Sequence, residues 1–302
     1  MGCASTPPEG LSRATGHDGD MTDVSVKNGL LTSITLHVED SGGTGRPVVL
    51  IHGWPLSGES WSEQTGPLAA AGYRVITYDR RGFGESDKPK GLGTSGYDYD
   101  TLADDLHGLL TELDLHDVTL VGFSMGGGEV ARYASKHGNE RVHSVVFAGA
   151  VPPYLAKSDD NPDGPLDADT AAGFEAGVKN DREKFFDQFM TQFFSADGTL
   201  TVTEDQRQQA LALEAQADHR AELGCLNAFG TTDFREDLTK ITVPTLVIHG
   251  DSDAVVPFEG SGKRTHEAIA GSELVVVEGG PHGFNVSHAG ELNEALIAFL
   301  AK

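Results

Sequence analysis

Only two of the 302 residues are cysteine, Cys3 and Cys225. They lie far apart, so no disulfide framework can be drawn, and no CxxC metal pattern exists. A reducing compartment is expected. Long apolar runs are missing too. No stretch of 18 apolar residues occurs, which argues against a transmembrane helix. Basic residues are scarce, 22 against 46 acidic ones, for a formal net charge of −24. A surface this negative repels nucleic-acid phosphates and anionic lipid, so neither nucleic acid nor membrane is an expected partner. It favours solubility and suits a salty medium. No internal repeat and no HExxH or other metal-ligand spacing is found.

The leading segment lacks the apolar core of a signal peptide. It is rich in Gly, Pro, Ser, Thr and Asp, and reads as a disordered tail over residues 1–22, with Met21 as an alternative start. Its first residues, MGCAST, also fit a short myristoylation pattern with Cys3 as a second lipid site. A cytoplasmic protein is the expectation.

What is present is rhythm. Short apolar runs closed by turn residues recur at Pro47–Gly53, Tyr73–Asp79, Val118–Gly122, Val142–Gly149, Pro244–Gly250 and Glu273–Gly280, each suited to a buried parallel strand. A further strand near Leu31–Val38 is expected at one edge. Between the runs lie helical stripes: Leu102, Leu106, Leu109, Leu110 and Leu113, capped by Asp98 or Asp100, and later Leu292, Ala295, Leu296, Phe299 and Leu300. This predicts an α/β fold with a mostly parallel, doubly wound sheet. The rhythm breaks over 152–240, a helical lid inserted between core segments 23–151 and 241–302. Phe185, Phe186, Phe189 and Phe193 share one helical side there, either packing the lid down or lining an apolar pocket.

Ligands in such sheets bind beyond the carboxyl ends of the strands. After Val118–Gly122 comes GFSMG, the G-x-S-x-G pattern of a sharp strand-to-helix turn that exposes Ser124. The bland alternative is that Ser124 only caps the helix in LVGFSMGGGEVARY. After Pro244–Gly250 come Asp251 and Asp253, and after Glu273–Gly280 comes His282. The chain order Ser, Asp, His is that of an α/β-hydrolase triad, with histidine as base and aspartate as its orienter. Asp251 can serve the turn alone; Asp253 is favoured because the acid sits a few residues past its strand. His52 is expected to brace its loop and His249 to be core or hydrogen-bonded. Two backbone N–H groups are needed for an oxyanion hole, and Met125 and Trp54 are the candidates. Pro55 has no N–H and restricts Trp54 to extended geometry, which would aim the Trp54 carbonyl into the site.

Together LIHGWPLSGESW, YDRRGFGESDKP, LVGFSMGGGEVARY and GDSDAVVPFE with GGPHGFNVSHA resemble the cofactor-free, non-heme haloperoxidase or perhydrolase branch of the α/β-hydrolases, which also contains aryl esterases. The resemblance runs from about Leu30 to the C-terminus. It implies a Ser124–Asp253–His282 triad, an oxyanion hole at Trp54 and Met125, and no haem or metal cofactor. It implies a small acyl ester or short carboxylic acid, hydrogen peroxide and halide as partners, with peroxide releasing a peracid from the acyl-enzyme. A proline after the oxyanion-hole tryptophan accompanies peroxide use in that family, and Pro55 matches. A homo-oligomer is also in keeping with it. A plain carboxylesterase, aryl esterase or lactonase, or a small-ligand receptor on the same fold, is the alternative.

Other motifs carry less. GLGTSG (Gly91–Gly96) lacks the preceding strand that dinucleotide binding needs, and GSGK (Gly260–Lys263) is followed by arginine where a P-loop needs Ser or Thr. The arginines of DRRGFGES are expected to buttress their turn. The sequon at Asn285 is read as chance.

Overall fold

The computed structural model describes residues 20–28, 32–90 and 93–302. The chain opens with strands β1 (Asp20–Asn28), β2 (Thr32–Asp40) and β3 (Pro47–Ile51), then helix α1 (Ser62–Ala70) and β4 (Arg74–Tyr78). Helix α2 (Tyr99–Glu112), β5 (Val118–Phe123), α3 (Met125–His137) and β6 (Val142–Ala148) complete the first half of the sheet. The inserted segment carries α4 (Ala168–Asn180), α5 (Arg182–Phe193), a small hairpin of β7 (Ser195–Ala196) and β8 (Thr199–Leu200), α6 (Glu204–Glu214), α7 (His219–Thr231) and α8 (Arg235–Leu238). The core resumes with β9 (Thr245–Gly250), α9 (Gly262–Ala268), β10 (Glu273–Val277), α10 (Phe284–Ser287) and α11 (Ala289–Leu300).

Eight strands form one sheet in the order β1-β2-β4-β3-β5-β6-β9-β10. β2 runs antiparallel to β1 and β4, and the remaining pairs are parallel. The central strands are largely apolar because helices cover both faces; every residue of β5 is buried. The predicted strands end a residue or more early in several cases, where glycine and aspartate begin the turns. On α2, Asp98 rather than Asp100 is the cap, its carboxylate accepting from the Thr101 N–H at 2.9 Å. Leu102, Leu106, Leu109 and Leu110 of its stripe are fully buried, each contributing about 1.5–3 kcal/mol relative to exposure.

Two expectations change at the amino-terminal edge. The strand foreseen near Leu31–Val38 is second in the sheet, not its edge, because β1 pairs with it from Asp20↔Asp40 to Asn28↔Thr32. Residues 20–22, expected to belong to a tail over 1–22, are instead part of β1. The lipidation motif and Cys3 lie outside the described residues, as does part of GLGTSG. Among the described residues no helix is long and apolar enough to cross a membrane.

Candidate active site

Ser124 stands between the end of β5 and the start of α3 with φ +53° and ψ −118°, a conformation that costs a non-glycine residue on the order of 1–3 kcal/mol. Three backbone hydrogen bonds hold it: its N–H donates to the Ala148 carbonyl at 2.9 Å, and its carbonyl accepts from Gly127 and Val151, each at 3.1 Å. The sharp turn needs bare backbone on both sides. A Cβ at Gly122 would sit 2.5 Å from the Gly126 carbonyl oxygen, and one at Gly126 would sit 2.5 Å from that of Ile51. The Ser124 hydroxyl makes no capping bond to α3. It points instead to His282, with Oγ 2.9 Å from Nε2.

His282 is in the loop after β10. Its Nδ1 lies 2.6 Å from Oδ2 of Asp253 in the loop after β9, while the imidazole contacts the rings of Phe123 and Phe193. The other Asp253 oxygen accepts backbone N–H bonds from Val255 at 2.9 Å and Val256 at 2.7 Å. Burial opposes the charge on Asp253. The adjacent His282 and hydrogen bonds from His249 and His282 outweigh it and hold the carboxyl well below the usual carboxylate range. Asp251 is not brought to His282. It is a turn residue, accepting the Gly279 N–H at 2.7 Å and so tying the two loops together.

Trp54 and Met125 are both buried beside Ser124's turn. Among the described residues, neither backbone N–H has a hydrogen-bond acceptor. The Trp54 indole donates to the Glu222 carbonyl on α7 at 3.1 Å, and its ring packs between Phe186, Phe189 and Phe229. Beneath this loop, His52 Nε2 accepts the Arg80 N–H at 2.9 Å, so Nδ1 carries the proton and donates to Gly53 O at 2.9 Å. Burial, then the charge of Arg80, push the His52 pKa well below its ordinary value, so the ring is neutral. The Arg80 guanidinium pairs with Glu129 on α3 and donates to His52 O at 2.6 Å. Arg81 pairs with Asp105 on α2. Both arginines buttress the turn, with no free face for an anion. His288 is bound up locally with Ser287. Asn285 is 2 % exposed, its amide donating to Ser60 O at 2.9 Å.

A cavity of about 270 Å³ opens over Ser124. Trp54, Val151, Leu155, Phe174, Phe189 and Phe229 are among its walls, and no charged side chain lines it. Phe189 thus lines the pocket, whereas Phe186 and Phe193 are buried as packing. Cys225 is buried, and burial raises its thiol to about 12, leaving it inert.

Two features escaped sequence reasoning. Asp253 Oδ2 is approached by a second imidazole, His249, whose Nε2 lies 3.3 Å away. The tie from Trp54 to the backbone of Glu222 also has no signature, because a carbonyl is common to every residue.

A serine, histidine and aspartate hydrogen-bonded in series at the carboxyl edge of a largely parallel sheet, beneath inserted helices, define an α/β-hydrolase. The family model for the alpha/beta hydrolase fold matches residues 46–289. A non-heme chloroperoxidase of Kitasatospora aureofaciens is 45% identical over 86% of this chain and 94% of its own. A bifunctional esterase/perhydrolase of Acinetobacter calcoaceticus is 34% identical over 92% of this chain and 98% of its own. The crystal structure of a bromoperoxidase from Bacillus anthracis superimposes with a TM-score of 0.89 at 55% identity, over 94% of this chain and 100% of that one. The chain belongs to the α/β-hydrolase family and, within it, to the non-heme haloperoxidases.

Proposed function

We propose that this enzyme forms an acyl-enzyme on Ser124 and passes the acyl group to hydrogen peroxide or to water, acting as perhydrolase and esterase. The observation that carries the reading is the Ser124 hydroxyl, held at a strained turn, not used as a cap, and 2.9 Å from a histidine that is itself paired with a buried aspartate. His282 takes the serine proton as Oγ attacks the acyl carbon, then gives it to the departing alcohol. Asp253 fixes the imidazole and supports its positive charge. The N–H groups of Trp54 and Met125 receive the oxyanion. In the second half, His282 takes a proton from peroxide, the hydroperoxide anion attacks the acyl carbon, and a peracid leaves as Ser124 regains its proton. The peracid then oxidises bromide or chloride to hypohalous acid and is itself reduced to the carboxylate.

An uncharged cavity supports neutral substrates: small esters, or short carboxylic acids in their protonated form. Pro55 is assigned to peroxide use. By holding Trp54 extended, it would aim the Trp54 carbonyl at the second O–H of peroxide, a donor that water lacks in that place. Pro55→Leu is then expected to lower the ratio of perhydrolysis to hydrolysis several-fold; an unchanged ratio removes the carbonyl argument. The overall reading is tested by fluorophosphonate labelling and p-nitrophenyl acetate turnover, with Ser124→Ala as control, followed by acetate, peroxide and bromide with a halogenation dye. Ser124-dependent labelling with bromination is expected. Labelling and ester cleavage without bromination would leave an esterase, and no labelling would leave a ligand-binding protein.

A further inference from the structure

A second cavity, about 400 Å³, lies between α4 and α7. Its walls include Ala156, Ala171, Ala172, Leu223, Leu226 and Gly230, with Lys157, Asp167 and Glu175 also contributing to its lining. Leu166 and Phe174 line this cavity and the one over Ser124 alike, so these two side chains are a shared wall. The chamber over Ser124 falls below the roughly 300–1,000 Å³ usual for ligand pockets, and the outer one falls within it.

The Phe174 half of this wall is lightly anchored. Phe174 is half-buried, with edge-on contacts to Phe185 at 5.6 Å and Phe189 at 6.2 Å between ring centres. Val178 is the one fully buried side chain of α4. Orientation follows from the chemistry at His282, which must reach the leaving alcohol. His282 lines neither chamber and is flanked by Phe123 and Phe193. The chambers run instead from Ser124 along Trp54 and Phe229 toward Phe174, on the oxyanion side.

Resting on the acyl-enzyme reading above, we infer that Phe174 and Leu166 set the acyl-length limit, and that the outer cavity is a distal subsite for the unbranched, uncharged tail of a medium-chain acyl group. Short acyl groups are held in the inner chamber; longer ones reach the outer cavity only when the Phe174 ring gives way. Each methylene moved from water into such a site favours the transition state roughly fourfold.

The test is the kcat/KM ratio of p-nitrophenyl octanoate to p-nitrophenyl butanoate, a ratio in which any uniform loss of activity cancels. The wild-type ratio is expected below one. Phe174→Ala should raise it more than tenfold, and adding Ala171→Trp, which refills the outer cavity, should cancel the rise. Ala171→Trp alone should lower the ratio, which keeps the question answerable if Phe174→Ala does not fold. A ratio that moves less than threefold in every variant overturns the inference. So does an effect confined to alkyl acetates of differing alcohol length, which would make the outer cavity an alcohol site. If wild type shows no Ser124-dependent cleavage of p-nitrophenyl acetate, the acyl-enzyme reading fails instead.

Discussion

His249 and His282 approach the same oxygen of Asp253, at 3.3 and 2.6 Å. His249 Nε2 also lies 2.8 Å from Val256 O; facing two acceptors, it carries the proton, and from that geometry a positioning role toward Asp253 is expected. His249→Leu is expected to cut kcat for p-nitrophenyl acetate at least tenfold with KM little changed, while His249→Gln, which keeps an N–H donor, recovers most of it. If Leu and Gln lower kcat alike, the ring is only packing. The same site shows what a sequence discloses at this scale. Ser124 and His282 were legible because each stands in a local motif directly after an apolar run. His249 was not, because PTLVIHG reads as a buried strand, and a histidine inside one is ordinarily satisfied by backbone. Its partner stands only four residues on, across the turn that closes β9, and the course of that turn is not written in the spacing.

Two buried charge groups bind elements together. Arg80, after β4, meets Glu129 of α3, and Tyr78 donates to the same carboxylate at 2.8 Å. Removing one partner of such a pair strands the other: Arg80→Met should lower stability by about 3–5 kcal/mol, and the double variant with Glu129→Met by clearly less. Urea unfolding of the three proteins measures this. In the lid, Glu214 at the end of α6 faces Glu222 of α7, with Arg182 of α5 between them and His219 at the edge. Burial raises Glu214 to about 8, with Arg182 pulling down and Glu222 pushing up. An acid raised on folding stabilises the fold at low pH. That contribution is lost as pH climbs from about 4.5 toward 8 and is constant above. Wild-type Tm should therefore fall more between pH 5 and 9 than that of Glu214→Gln; parallel curves would exclude the carboxyl pair as the source. The lid cluster was not readable from sequence, since α5, α6 and α7 show only ordinary charged helix surfaces until folding brings three of those residues together. The α2 stripe, by contrast, was plain, because its leucines repeat at helical spacing.

At the scale of the molecule, 46 acidic against 22 basic residues leave a net charge of −24. Self-repulsion on that surface opposes the compact state and is screened by salt. Tm is expected to rise between 20 mM and 1 M sodium chloride, and a flat response would show that local ion pairs already compensate. The sheet's general plan was legible because its central strands are continuous apolar runs. The β1 edge was not: among the described side chains of DMTDVSVKN only Val24 and Val26 turn into the core, too thin an alternation beside a polar leader.

The position of Asn285 bears on how the protein can be made. Asn285-Val-Ser is an acceptor sequence for N-linked sugar, yet its amide is packed against Ser60 with no room for one. In a eukaryotic secretory host, glycosylation would compete with folding, and a chain modified there before α10 docks could not close the contact with Ser60. Secreted material would divide into a sugar-free active fraction and a glycosylated inactive one, and Ser287→Ala, which removes the acceptor sequence but keeps the Asn285 amide, or production without that machinery would avoid the split.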